Sequence, residues 1–459
     1  MPLAAKIAGF VSGLTLDSLP AEVERKARTC LLNGYGIALG CHMTPYAPVA
    51  RETALALFGE AANGATLLGD GRRTRAPGAA LANAPLFHGR AQEDTCGAAH
   101  LGAILIPTLT ALFELERYPL DRFLPALVAG YEVGGLFETA YAPATTPAGF
   151  RASPLYGTIA AAAAAARAMA LSSERAAAAL ANAASFAGGI LQSFDDGTDE
   201  WRYQVGVAGL NGLVAARLAA EGSISAPRAF EGRSGFVRAF ARADCDVDAL
   251  AGRLGRDWSI HRVIFKPYPV CAFNQTPVTG ALVLREKLNR QKIESVRVHM
   301  NPYETGYAGM DSKGPFSTIS GTLMSIPFCI ALTLLRGTPT MASMTTYDDQ
   351  EVNDLMARIE LVPDDGVARL CCVIETKLSD GRSVRHEETK STDDYNYGWD
   401  EVFDLVRRVG AESAVPNVAF ERIASFAQRV PDASLDDVLE AFAMLPRATL
   451  EDSPRVRRA

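Results

Sequence analysis

The segment Ile159-Ala-Ala-Ala-Ala-Ala-Ala-Ala166-Arg167-Ala-Met-Ala-Leu171 decides the character of the first half of the chain. Alanine has the highest helix propensity, and the seven alanines carry no polar stripe that could face water. The segment contains Arg167 and is too short to span a bilayer. It therefore predicts a helix that is buried on all sides within a helical domain.

The same helical pattern surrounds this segment. Ala-rich stretches separated by Gly, Pro and Asp or Ser extend from the start of the chain to about residue 265. From Trp399 the helical periodicity returns. These two regions predict one discontinuous helical domain, formed by residues 1–265 and 396–459.

Between these regions the pattern changes to that of strands. Val296-Arg-Val-His299 alternates, and Asp380-Gly381 separates two further alternating stretches as in a β-hairpin. Helical patterns lie between them, including one at 319–336. The sequence therefore predicts a mainly α protein with a smaller α/β domain, residues 266–395, inserted into the helical one.

Composition restricts the possible functions. The chain has 459 residues, of which 48% are hydrophobic and 21% charged, as expected for a folded protein of two domains. A net charge of −7 disfavours nucleic-acid binding, which needs a basic face. The eight cysteines form no C-x-x-C pair, and we find neither a convincing signal peptide nor a membrane span. We expect a soluble, cytoplasmic protein that binds neither nucleic acid nor membranes.

Several catalytic motifs are absent from the sequence. It contains no P-loop, no G-x-G-x-x-G after a strand, no H-E-x-x-H and no His/Cys cluster at zinc spacing. Nucleotide-binding, dinucleotide-binding and zinc-protease functions therefore lose their usual support, and we expect no metal.

The segment from Phe87 to Pro107 concentrates ionisable residues before an apolar helix. Asp94 or Thr95 could cap that helix, which would place His100 in its first turns, where the helix dipole favours a neutral imidazole. A neutral histidine can act as a base. The alternative is a structural histidine hydrogen-bonded to the backbone.

A second concentration lies at the junction of the two predicted domains, where clefts are common. Lys266 in Lys266-Pro-Tyr-Pro-Val-Cys271 follows an apolar run and precedes a proline turn. It could clamp a carboxylate, lose its proton to become a base, or simply extend to solvent from a strand end. Farther along, Tyr307 could donate to substrate oxygens or be a half-buried tyrosine.

These segments resemble the MmgE/PrpD family, which includes 2-methylcitrate dehydratases, cis-aconitate decarboxylases and iminodisuccinate epimerases. The resemblance runs nearly end to end and is carried by Glu93-Asp94-Thr95 to His100, by Lys266 to Cys271, and by Ser325-Ile-Pro-Phe328. It implies an all-helical domain with a smaller α/β domain, a homodimer, and a cofactor-free active site between the domains. By motif, His100 and Lys266 match the catalytic residues of the family, and Asp94 and Thr95 match its Asp-Thr element.

The chain also departs from the family pattern. Arg151 stands where dehydratases and decarboxylases often have a histidine, Trp201-Arg202 where a lysine is common, and Cys271 where the decarboxylase has a histidine. These departures indicate a substrate other than 2-methylcitrate or cis-aconitate. Both arginines could hold carboxylates in a bidentate manner.

The leading hypothesis is a lyase, a dehydratase or decarboxylase, that acts on a small di- or tricarboxylic acid. His100 and Lys266 would be its catalytic residues and would face one cleft. The predicted substrate-binding residues are Asp94, Thr95, Arg151, Arg202, Tyr268, Cys271 and Tyr307. Two alternatives are an epimerase of the iminodisuccinate type and a catalytically inactive dimeric scaffold.

Overall fold

The computed structural model describes residues 1–289 and 291–449, so the end of the predicted return segment, residues 450–459, lies outside the described residues. The helices are α1 Leu3–Gly13, α2 Ala21–Gly40, α3 Tyr46–Phe58, α4 Ala76–His88, α5 Gly102–Glu116, α6 Phe123–Thr145, α7 Ala152–Ala168, α8 Ser173–Phe186, α9 Gln192–Asp195, α10 Glu200–Ala220, α11 Val247–Ala251, α12 Gln275–Leu288, α13 Pro302–Thr305, α14 Ile319–Met324, α15 Ile326–Arg336, α16 Met341–Met344, α17 Gln350–Ala357, α18 Trp399–Glu412, α19 Asn417–Arg429 and α20 Asp436–Ala443. The strands are β1 Ala65–Thr66, β2 Arg73–Thr74, β3 Thr95–Cys96, β4 Val263–Ile264, β5 Ile293–Met300, β6 Ile359–Pro363, β7 Cys371–Leu378 and β8 Ser383–Thr389.

The alanine run forms the centre of the helical part. It lies in α7, which packs against α6, α8 and α10, and its seven alanines are at most 1% exposed. Small side chains allow this close packing: a Cβ added to Gly212 of α10 would lie 2.4 Å from Cβ of Ala161. The prediction of a fully buried helix is confirmed.

This burial removes one reason to expect a dimer. Helices of the same chain cover all faces of α7, so its lack of a polar stripe does not require a partner subunit. No helix in the described part of the chain has the length and apolarity needed to cross a membrane.

The α/β part is built on a four-stranded sheet in the order β6-β5-β7-β8. β5 runs parallel to β6 and antiparallel to β7, and β7 and β8 form the predicted hairpin. Gly381 in its turn has a φ of +88°, which favours glycine. α12 and α15 pack on each other, α12 against β7 and β8 and α15 against β6. The mainly α fold with a smaller α/β unit is confirmed.

One predicted helix, 319–336, is divided in two. Ser325 separates α14 from α15, and its hydroxyl accepts a hydrogen bond from the N–H of Phe328 at 3.0 Å. Pro327 then occupies the first turn of α15, where its missing N–H costs nothing. Because the apolar pattern continues across Ser325, the sequence did not indicate that a second helix begins there.

The return helices rejoin the helical part. α18 packs against α2 so closely that a Cβ on Gly36 would lie 2.5 Å from Cγ1 of Val406. The described residues form two hydrophobic cores, one among the helices and one around the sheet. The second core also includes Phe194 and Trp201 from the helical segments. The predicted domain boundaries stay a prediction.

We predict that Gly212→Ala destabilises the protein. In an open helix this change stabilises by about 1 kcal/mol, but here the new methyl group would also meet the backbone N of Ala162 at 2.7 Å. Such overpacking typically costs about 1–3 kcal/mol. The melting temperature, followed by circular dichroism, should therefore fall.

Gly13→Ala is the matched control, since a Cβ there would meet nothing within 4 Å. It should leave the melting temperature unchanged or slightly higher. An equal effect of both substitutions would contradict the close approach of α10 to α7.

Candidate active site

A short antiparallel pairing joins the two segments that the sequence singled out. β3 pairs with β4, with Thr95 opposite Ile264. Because His100 lies shortly after β3 and Lys266 shortly after β4, the pairing brings both side chains to the wall of one cavity, which residues of the α/β part also line. The structure thus brings His100 and Lys266 together.

The carboxylate of Glu93 lies at the centre of this cluster. Its Oε1 lies 3.0 Å from Nζ of Lys266, 2.9 Å from Nδ1 of His100 and 3.0 Å from Nδ1 of His88. Burial alone would raise the pKa of Glu93, but the nearby cation and imidazoles outweigh it and hold the pKa well below the usual range. Glu93 is therefore a buried anion, with only 1% of its surface exposed to solvent.

The surroundings of His100 determine its tautomer. Nδ1 lies 2.9 Å from Oε1 of Glu93 and 3.3 Å from the carbonyl oxygen of Asp94, and both are acceptors. The proton of a neutral ring therefore belongs on Nδ1, which leaves a lone pair on Nε2. Burial and the charge of Lys266 lower the pKa of His100, so the ring is neutral near pH 7.

The helix dipole is not the reason for this neutrality. α5 begins at Gly102, after His100, and Thr95 belongs to β3. The expectation that Asp94 or Thr95 caps a helix containing His100 is wrong, because that stretch pairs with β4 instead.

His88 connects the cluster to Arg151. A guanidinium can only donate, so its bond from Nη2 to Nε2 of His88, at 2.6 Å, places the proton of a neutral ring on Nδ1, towards Glu93. Burial lowers the pKa of His88 well below its usual value, which favours this neutral form. A continuous polar path runs from Arg151 through His88 to Glu93.

Arg151 is a buried cation whose hydrogen bonds go to neutral acceptors. It donates to the carbonyl oxygen of Trp201 at 2.5 Å and to Oε1 of Gln204 at 3.2 Å, in addition to His88. Burial lowers its pKa to about 10, so it stays charged at neutral pH. Because it lines the cavity, it offers a positive charge to an anionic ligand.

Three other predicted binding residues also line the cavity: Thr95, Cys271 and Tyr307. Burial raises the pKa of the Tyr307 phenol, so this hydroxyl remains a proton donor. Much of the remaining wall is aromatic or aliphatic, formed by Phe194, Trp201, Phe273, Leu323 and Met324. The cavity suits a small molecule with charged ends.

Three predicted binding residues do not line the cavity. Asp94 accepts a hydrogen bond from the hydroxyl of Tyr131 at 2.6 Å, and burial raises its pKa to about 6. The guanidinium of Arg202 lies 3.8 Å from the ring centre of Trp201 and donates to Ser320 at 2.6 Å. Tyr268 is half-buried against the second hydrophobic core. Direct substrate contact is therefore not supported for these three, because none of them lines the cavity.

Sequence reasoning gave no role to His88, Glu93 or Arg369, which all line the cavity. His88 and Glu93 lie in the segment from Phe87 to Pro107, whose many ionisable residues already indicated a functional site. Nothing in the local sequence indicates a functional role for Arg369.

The described residues contain one set of possible metal ligands. Ligand atoms of His88, Glu93 and His100 lie within 4.8 Å of one another. Two histidines and a carboxylate can bind iron or zinc. However, the nitrogens that face Glu93 carry protons in the tautomers derived above, and Lys266 binds the same oxygen. The donors therefore fit a hydrogen-bonded cluster better than a metal site.

Comparison with known proteins finds relatives that are named cis-aconitate decarboxylase or cis-aconitate decarboxylase-like. The chain is 28% identical over 282 residues to the cis-aconitate decarboxylase-like protein oryM of Aspergillus oryzae, an alignment that spans 58% of each protein. It is 25% identical over 416 residues to a cis-aconitate decarboxylase of Aspergillus terreus, which spans 83% of this chain and 84% of that protein.

Two family domains also match, and they follow each other along the chain. Residues 5–247 match the MmgE/PrpD N-terminal domain, and residues 268–395 match the MmgE/PrpD C-terminal domain. The first match alone covers more than half of the chain. The chain therefore belongs to the MmgE/PrpD family.

Proposed function

We propose that this protein is a cofactor-independent lyase that moves a proton at a carbon next to a carboxylate of a small di- or tricarboxylic acid. The observation that carries the proposal is His100, whose Nδ1 faces two acceptors while its ring lines a cavity with Lys266 and Arg151. The Aspergillus proteins named cis-aconitate decarboxylases support this class of substrate and reaction.

His100 is the proposed base. With its proton on Nδ1, the lone pair of Nε2 can take a proton from a carbon acid or, after protonation, return it to a carbanion. Glu93 then stabilises the imidazolium that forms, because its carboxylate lies 2.9 Å from Nδ1. This is the role that a buried carboxylate has beside other catalytic histidines.

Lys266 and Arg151 are the proposed electrostatic partners. Loss of a proton or of carbon dioxide leaves negative charge that spreads onto the remaining carboxylate. Fixed cations in a site shielded from water stabilise such charge strongly. Lys266 is held by its hydrogen bond to Glu93, and Arg151 by Trp201 and His88, so neither needs to reorganise during the reaction.

Tyr307 is the candidate proton donor to a leaving hydroxyl group, should the reaction be a dehydration. Its hydroxyl lines the same cavity. A decarboxylation would not need this donor. The presence of Arg151 and Cys271 where other members have histidines supports a substrate different from 2-methylcitrate and cis-aconitate.

The decarboxylase relatives favour a lyase over an epimerase. In a two-base epimerase, His100 and Lys266 would act as base and acid on opposite faces of one carbon. An inactive scaffold is less well supported, since it would have no use for a buried anion and buried cations grouped around a cavity.

We also propose a homodimer. Val207, Val214 and Leu218 of α10 are exposed on one side of the helix, as expected for a surface that a partner covers. Light scattering should give twice the chain mass, and Val214→Glu with Leu218→Glu should give a monomer. A monomeric wild-type protein at micromolar concentration would contradict the proposal.

His100→Ala and Lys266→Ala should each remove most of the turnover and leave the fold intact. A placed acid or base typically contributes about a hundredfold to ten-thousandfold, so losses in that range are expected. Activity is measured by proton NMR of candidate di- and tricarboxylates in deuterium oxide, which separates proton exchange, elimination and loss of carbon dioxide.

Matched controls are His261→Ala and Lys377→Ala, two exposed residues outside the cavity. They should retain wild-type activity. Losses of only about twofold in the His100 and Lys266 variants would exclude these two residues as acid, base or charge stabiliser.

Turnover should also survive treatment with EDTA, which removes divalent metals. A loss of activity that a divalent metal restores would overturn the cofactor-free assignment.

A further inference from the structure

Arg369 is a cation at the cavity that the proposed reaction does not use. It lies in the connection between β6 and β7, is exposed, and lines the cavity together with Arg151 and Lys266. It forms no ion pair with a carboxylate among the described residues. Its guanidinium carbon instead lies 4.4 Å from the ring centre of Tyr303, an orientation in which stacking limits the motion of the side chain.

The turn that contains Arg369 has its next residue, Leu370, in an unfavourable backbone conformation. The N–H of Cys371 donates to the carbonyl oxygen of Ala368 at 3.2 Å, which closes a tight turn. Leu370, the third residue of that turn, has a φ of +60°, where glycine or asparagine is usual. Strain of this kind is frequent at functional sites.

A buried carboxylate maintains this turn. Glu304 is fully buried, and its Oε1 accepts a hydrogen bond from the N–H of Leu370 at 2.9 Å. The same short helix, α13, supplies Tyr303, on which Arg369 stacks. One element therefore fixes both the turn at Leu370 and the side chain of Arg369, so this cation is positioned rather than free to move.

The charges that line the cavity are unbalanced. Three of the lining side chains are cations, Arg151, Lys266 and Arg369, while Glu93 is the one carboxylate among the described lining residues. A ligand with two negative charges would balance them. Arg151 belongs to the helical part and Arg369 to the α/β part, so such a ligand would connect the two.

We propose that Arg369 binds a second carboxylate of the substrate and thereby selects dicarboxylates over monocarboxylates. The proposal builds on the proposed function in taking the same cavity as the substrate site. The carboxylate that reacts would lie near Lys266 and Arg151, and the distal one near Arg369. A planar guanidinium suits this task, because it can donate two parallel hydrogen bonds to a carboxylate.

The test is equilibrium binding, which needs no turnover. Malonate, succinate, glutarate and adipate are each compared with their monoamides, which have nearly the same size but lack one charge, by titration calorimetry at fixed ionic strength. Wild type should bind at least one diacid about tenfold more tightly than its monoamide. Arg369→Gln should remove most of that preference, while monoamide affinity stays within about twofold, as expected when one charged hydrogen bond is lost.

Arg407→Gln is the matched control, since Arg407 is also exposed and stacks on a ring, that of Phe403, but does not line the cavity. It should keep the wild-type preference, and Arg369→Lys should recover part of it. Equal weakening of diacid and monoamide, an unchanged Arg369→Gln protein, or a wild type without diacid preference would each overturn the proposal. Turnover of the His100 variants tests the proposed function separately.

Discussion

The site depends on one buried carboxylate that three side chains share. An isolated carboxylate is costly to bury, and Glu93 is tolerated because Lys266, His100 and His88 surround a single one of its oxygens. Lys266 comes from a distant part of the chain, and the pairing of β3 with β4 is what brings it to Glu93 and His100. Glu93 in return orients His100 and fixes the position of the Lys266 side chain.

The helical packing serves the same site. Small residues let α10 approach both α7 and α4, and a Cβ on Gly206 would lie 2.6 Å from the carbonyl oxygen of Leu81. This approach sets the carbonyl oxygen of Trp201, at the start of α10, against the guanidinium of Arg151. The alanine-rich core thus fixes a cation beside His88, at the end of α4.

The sequence was sufficient to predict the fold and to place His100 and Lys266 at one cavity, but not to predict how the residues around them are arranged. The alanine run and the Asp380-Gly381 turn are local signals, so the buried helix and the hairpin could be predicted. Glu93 and Asp94 are neighbours of the same charge, and only tertiary packing directs the first to His100 and the second to Tyr131. Likewise, no local signal showed that Arg151 would face the cavity while Arg202 turns towards Ser320.

The central claim is that His100 is neutral near pH 7, because burial and Lys266 lower its pKa, and that its proton lies on Nδ1, which faces Glu93. It is tested most directly by nitrogen-15 NMR of the histidine side chains, of which the chain has six. The resonances that disappear in His100→Gln identify this ring. Near pH 7 they should show a protonated Nδ1 and an unprotonated Nε2, and they should shift in Glu93→Gln. A proton on Nε2, a charged ring, or no response to Glu93→Gln would contradict the account.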